Sequence, residues 1–137
     1  MYHSILLAAD GSDNSYRAAE EVIKLTCNES IVTLLHVISI DDSVESVLHS
    51  TEGHNLKEER KTKLKRIITL FEENNVKCIL KIEKGEPKVK TVEVANSGQY
   101  EIVVLGTRGL NALQEMVLGS VSHKVAKRSE IPVLIVK

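Results

Sequence analysis

Short apolar runs alternate with longer amphipathic stretches along this chain. Residues 5–9 read Ile-Leu-Leu-Ala-Ala and stop at Asp10-Gly11-Ser12, the pattern of a buried strand ending in a turn. Ser12 or Asp13 can cap a helix running to about Cys27, in which Ala19, Val22, Ile23 and Thr26 share one face. Residues 31–38 are apolar at nearly every position, as in a strand buried on both faces of a helix-covered parallel sheet. A second helix is predicted from about Leu56 to Asn74, with Leu64, Ile67, Ile68 and Phe71 facing inward and Asn74-Asn75 ending it. Residues 76–83 alternate instead. Val76, Cys78, Leu80 and Ile82 stand against Lys77, Lys81 and Glu83, which predicts an edge strand with one wetter face. Pro87 suits the first turn of a helix reaching about Ser97. Residues 102–105 make a fourth apolar strand, Ser120 opens a last helix to about Arg128, and residues 132–136 make a fifth strand.

Strands and helices in strict alternation predict an α/β fold: a single-domain, doubly wound, Rossmann-like parallel sheet of five strands with helices on both faces. The 137 residues fit one domain, 1–137, with no repeat. With strand order 3-2-1-4-5 the winding reverses between strands 1 and 4. Ligands of such sheets sit beyond the strand ends at that point. The loops there begin at Asp10 and Gly106. Residues 39–55 break the pattern. They carry Asp41, Asp42, Glu45, Glu52, His49 and His54, and read as a long mobile connection.

Composition removes several classes of function. A net charge of −1 excludes a uniformly basic coat for nucleic acid. Four aromatic rings, Phe71, Tyr2, Tyr16 and Tyr100, are too few for a base-stacking platform. No apolar run approaches the ~20 residues of a membrane span, and the N-terminus lacks a secretory pattern, so a cytoplasmic address is expected. Cys27 and Cys78 form no CxxC pair and are read as two buried structural thiols.

The candidate chemistry lies after strand 4. The chain reads Gly106-Thr107-Arg108-Gly109, then nine residues, then Gly119-Ser120. Gly106 and Gly109 allow sharp turns and close backbone approach. Gly119-Ser120 stands where the last helix begins, and a helix N-terminus offers free N–H groups and a positive dipole end to phosphate. Ser120 and Ser122 add hydroxyls, and Arg108 can neutralise phosphate charge. Three glycines at this spacing arise by chance in about 4% of chains of this length. The spacing gains weight from its place between an apolar strand and a helix start at the switch point.

Competing constellations fail. There is no Gly-x4-Gly-Lys-(Ser/Thr) and no GxGxxG after a strand. A receiver domain needs paired acids after strand 1 and an Asp after strand 3, but Asp10 is followed by Gly11 and strand 3 ends Glu83-Lys84-Gly85. The Asp10–Ser15 stretch lacks the second glycine of an ATP-pyrophosphatase loop. His36 reads as a core or pocket-edge histidine, and His49 and His54 have no partner at zinc spacing. The basic stretch 57–66 reads as a solvated helix face.

Three segments together, Ala8-Ala9-Asp10-Gly11-Ser12, Leu35-His36-Val37 and Gly-x2-Gly-x9-Gly-Ser, resemble the universal stress protein family over essentially the whole chain. The resemblance implies a HUP-type version of the doubly wound fold and the family's ATP-binding branch. It implies that Ala8, Asp10 and Val37, with Ala9 beside them, line the adenine and ribose pocket. Gly106, Gly109, Gly119, Ser120 and Ser122 are implied to hold ribose and phosphates, with Thr107, Arg108 and Val121 in the same loops. The expected ligand is ATP, with a divalent ion such as Mg or Mn bridging its phosphates. The expected assembly is a homodimer through residues 133–136, and the expected role a nucleotide-dependent stress sensor or switch acting on a protein partner. The alternatives are a slow ATPase or a nucleotide-free interaction module.

Overall fold

Five parallel strands form one sheet in the order β3-β2-β1-β4-β5. The computed structural model describes residues 1–39, 50–107 and 119–137, and the side chains of residues 50–60 are outside that description. The strands are β1 (Tyr2–Ala8), β2 (Thr26–Ile38), β3 (Lys77–Lys84), β4 (Ile102–Gly106) and β5 (Val133–Val136). The helices are α1 (Asp13–Leu25), α2 (Ser50–Glu73), α3 (Pro87–Ala95) and α4 (Ser120–Arg128). The doubly wound order expected from the sequence is the order observed.

Alternation along β1 explains the two-faced core. Ile5 and Leu7 point to one face with Val32, Leu34 and Val104, where Ala18, Ala19 and Val22 of α1 and Leu64, Ile67 and Phe71 of α2 cover them. Leu6 points to the other face with Leu35, Val103 and Leu105, beneath Val94 and Ala95 of α3 and Val125 of α4. Strands covered on both sides have no polar face, which is why they read as unbroken apolar runs. The end of α2 was also legible. Asn75 takes φ 57° and Val76 N–H donates to the Phe71 carbonyl at 2.8 Å, closing the helix through a left-handed cap.

Four expectations need correction. Thr26 and Cys27 belong to β2 and not to α1. Thr26 is extended (φ −86°, ψ 153°) and ends the helix. The added stretch is irregular: Tyr2 lies opposite Thr26 but Ser4 lies opposite Ile31. Ser30 holds the bulge, accepting from Cys27 N–H at 2.8 Å and donating to the Tyr2 carbonyl. A polar Asn28-Glu29-Ser30 sequence gives no strand signal of its own.

Second, α2 starts at Ser50, so residues 50–55 of the expected loop are helical, and residues 40–49 lie outside the described residues. Polarity does not separate a loop from a helical extension, because each residue added to a formed helix gains a hydrogen bond. Third, β3 is an edge strand as expected, but Leu80 and Ile82 are 42% and 51% exposed while Lys81 and Glu83 are half-buried and paired at 3.8 Å. Cys78 packs against the core but Leu80 and Ile82, further along the same face, do not, so the face that the alternation marks as apolar is covered over only part of its length.

Fourth, neither cysteine is fully buried. They differ chemically. Hydrogen bonding from Ser30 holds the Cys27 thiol below its ordinary value, whereas burial pushes the Cys78 thiol up to about 11. Cys27 should therefore react first with a thiol reagent at pH 8 and Cys78 much more slowly, because little of it is thiolate; peptide mapping of the labelled protein over time checks this.

At the end of β4, Gly106 lies directly against the first turn of α1. A Cβ there would lie 2.6 Å from the Asn14 carbonyl oxygen, a backbone atom that cannot step aside. The glycine's lack of a side chain serves the approach of α1. Gly106→Ala should destabilise the fold by about 1–3 kcal/mol, read as a lower midpoint in urea unfolding.

Candidate functional site

All five strands run the same way, so their carboxyl ends share one edge, and the winding reverses between β1 and β4. A cavity of about 280 Å³ opens there. It brings together ten of the twelve residues expected from the sequence: Ala8, Ala9, Asp10, Val37, Gly106, Thr107, Gly119, Ser120, Val121 and Ser122. Arg108 and Gly109 lie outside the described residues.

The β1–α1 turn is built around Asp10. Its Oδ1 accepts from Ser12 N–H at 2.9 Å and from the Ser15 hydroxyl at 2.8 Å. Gly11 takes φ 85° to make the bend, a region open to glycine. Ser12, not Asp13, is the cap: its Oγ accepts from Ser15 N–H at 3.2 Å. Partial desolvation raises the Asp10 carboxyl, but the hydrogen bonds from Ser12 and Ser15 outweigh it and hold the group below its ordinary value.

Across the switch point, three contacts tie the end of β4 to its neighbours. Asn14, almost fully buried, donates through Nδ2 to the Thr107 carbonyl. Thr107 N–H donates to the Val136 carbonyl at 2.9 Å. Ser122, 2% exposed, donates its hydroxyl to the Gly106 carbonyl at 3.2 Å. The resemblance assigns Ser122 to the ligand. In this arrangement its proton fastens α4 to β4, leaving only its lone pairs toward the cavity.

Three helices start at this cavity, and their first turns differ. The N-terminus of α1 is satisfied internally by Ser12 and carries the acidic Asp13. By contrast, α4 begins at Gly119 with no side-chain cap and no acid in its first turn, and Lys127 and Arg128 sit at its far end. Among the described residues no side chain caps its first N–H groups, and its positive dipole end suits an anion. The third, α3, is preceded by Glu86, which makes no capping bond but pairs with Lys88 at 3.1 Å.

On the opposite face, His36 is buried, with Nδ1 3.0 Å from the Ala9 carbonyl. A carbonyl only accepts, so Nδ1 carries the proton and the ring braces the end of β1. That agrees with the core or pocket-edge reading.

Sequence reasoning missed the α3 wall of the cavity: Glu86, Pro87, Lys88 and Thr91. It also missed Leu35, Leu105, Ser12 and Ser15 as lining residues. Gly85-Glu86-Pro87 marks a turn in the sequence, but nothing local says that this turn faces the others. Among the described residues, no three His, Cys, Asp or Glu side chains are grouped to hold a metal, and no helix is long and apolar enough to cross a membrane.

A doubly wound sheet with an anion-ready helix start at its switch point defines an architecture suited to a phosphorylated ligand. Residues 1–137 match the universal stress protein family, and the chain belongs to that family. It is similar to universal stress protein MJ0531 of Methanocaldococcus jannaschii, 31% identical over 141 residues that cover 100% of this chain and 83% of the relative. It is 32% identical over 149 residues to universal stress protein YxiE of Bacillus subtilis, across the full length of both. Among solved structures it resembles that of MJ0577 from the same archaeon, with a TM-score of 0.83 and 33% identity over 100% of this chain and 96% of the other.

Asp10 gives this site a pH signature. Its folded carboxyl titrates below the ordinary 3.8, so its stabilisation is intact above about pH 4 and is lost as pH falls through the folded value. Asp10→Asn should lower stability at pH 7 by about 1 kcal/mol and flatten the acid limb of a stability–pH curve measured by chemical denaturation.

Proposed function

We propose that this chain is an ATP-binding universal stress protein whose nucleotide occupancy acts as a sensor or switch. The observation that carries the reading is the uncapped start of α4 in the same cavity as the aliphatic side chains of Leu35 and Val37. An adenine packs against Leu35 and Val37, at the β2 side. The ribose lies over the end of β1 near Ala8, Ala9 and Asp10. The phosphates reach Gly106, Gly119, Ser120 and the first N–H groups of α4, with Thr107, Val121 and Ser122 beside them. Arg108 and Gly109 complete the phosphate loop in this reading. Support comes from two proteins of the same fold, each 22% identical: a universal stress protein in complex with cAMP, and a family member from Arabidopsis thaliana with AMP bound.

Magnesium or manganese would arrive with the triphosphate, held chiefly by phosphate oxygens and water, since the described residues group no metal cage of their own. Rapid turnover is not part of the proposal. Phosphoryl transfer to water needs a positioned nucleophile and a base. The cavity's described carboxylates are engaged, Asp10 with Ser12 and Ser15, and Glu86 with Lys88. Output passes through a homodimer formed at β5, an edge strand with four half-buried residues, and through a partner surface that ATP alters. A second reading, a nucleotide-free interaction module, draws on the exposed apolar Ile79, Leu80 and Ile82 of the other edge.

Gly119 separates the two. Its backbone (φ −59°, ψ 159°) is one that any residue adopts, and Gly119 lines the cavity, so a larger side chain there adds bulk at the cavity wall. Gly119→Val should weaken ATP binding roughly tenfold or more, by calorimetry, while the thermal midpoint stays put. Native mass spectrometry of the unaltered protein should show a dimer carrying ATP. Equal ATP affinity in the variant would sink the site assignment.

A further inference from the structure

The α3 wall of the cavity holds a polar group that the fold does not use. Thr91 lies one turn into α3, is 2% exposed, and lines the cavity. Its hydroxyl makes no hydrogen bond to any described residue. No described side-chain nitrogen or oxygen is both enclosed and unpartnered, so this oxygen has to reach the cavity space. A buried threonine usually returns its hydroxyl to a nearby carbonyl. Valine would fill the same volume without a polar atom to satisfy.

Its position in the fold says what it faces. Thr91 stands three and four residues before Val94 and Ala95, on the helix face that packs into the apolar cluster of Leu6, Leu35, Val103 and Leu105, and the strand that α3 itself contacts most is β2. This is the β2 side of the cavity, with Val37. The anion-binding start of α4 belongs to the β4 side, two strand spacings or about 10 Å away across β1. That span separates a base from its phosphates. Aliphatic walls recognise a flat ring but do not tell one purine from another, whereas a single hydrogen-bonding group does.

We propose that the Thr91 hydroxyl reads the base: it hydrogen-bonds a polar edge atom of an adenine held against Leu35 and Val37, and sets the site's purine preference. The proposal rests on the nucleotide-binding reading above. The hydroxyl offers one donor and two lone pairs, enough to meet a ring nitrogen or an exocyclic amine. The α4 end supplies affinity for phosphate common to all nucleotides, and Thr91 supplies discrimination.

The test compares the full chain with Thr91→Val and Thr91→Ser for binding of adenosine, AMP, ATP, GTP and inorganic tripolyphosphate, with ligand-free thermal unfolding of each. Thr91→Val should weaken adenosine, AMP and ATP by one common factor, roughly 3- to 10-fold, and leave tripolyphosphate unchanged. The ATP-to-GTP preference should shrink by the same factor, and the unfolding midpoint should hold or rise. Thr91→Ser should restore the adenine ligands; Thr91→Ala serves as the removal variant if the valine chain does not fold. ATP affinity and preference unchanged in Thr91→Val overturn the proposal. Equal losses for ATP and GTP place the contact off the base and overturn it too, as does a loss for tripolyphosphate with a lowered midpoint. An unaltered chain that binds no adenine ligand overturns the functional reading together with the proposal.

Discussion

Everything at the cavity edge depends on how closely the first turn of α1 approaches the end of β4. The approach exists because residue 106 has no side chain: a Cβ would stand 2.6 Å from a backbone oxygen of Asn14. Once the two backbones meet, Asn14 reaches the Thr107 carbonyl and Ser122 reaches the Gly106 carbonyl. The β1–α1 turn, the end of β4 and the start of α4 thereby become one braced rim. A site on such a rim needs little reordering when a ligand arrives, which lowers the entropic cost of binding.

Charge at the rim is arranged by capping. Ser12 and Asp13 answer the positive end of α1, and no described side chain does so for α4. An uncapped positive helix end therefore lies beside Gly119 and Ser120. A chain of net charge −1 can attract phosphate this way without a basic surface, because the donors are backbone N–H groups fixed in direction. No aromatic ring is among the described residues lining the cavity, so aliphatic contact and hydrogen bonds must hold any base.

The sheet leaves two edges, and they differ in chemistry. At β5, four consecutive aliphatic residues are half-buried against the rest of the fold. At β3, Ile79, Leu80 and Ile82 stand out beside charged neighbours. A long apolar edge is a liability in a monomer, and lysines at positions 77, 81 and 84 guard this one.

The parallel α/β architecture and the two-faced core were legible in the chain itself, because strands buried on both faces carry no polar positions; the strand order 3-2-1-4-5, and with it the switch point, was an assumption that the structure bears out. The Gly-x2-Gly-x9-Gly-Ser spacing likewise pointed to residues, Gly106 and Gly119–Ser122 among them, that the fold brings to one cavity. The limits of β2 and α2 were not legible. Ser30 holds its bulge through the distant Tyr2, and a polar helical extension looks like a loop. In the sequence Gly106 reads as room for a sharp turn or a ligand's approach, and only the packed structure shows that Asn14 fills the space. Thr91 and the α3 wall were invisible for the same reason. Local sequence reports what each segment wants to bury or expose, while the meeting of β2, β4 and three helix starts at one cavity is decided by packing between residues far apart in the chain.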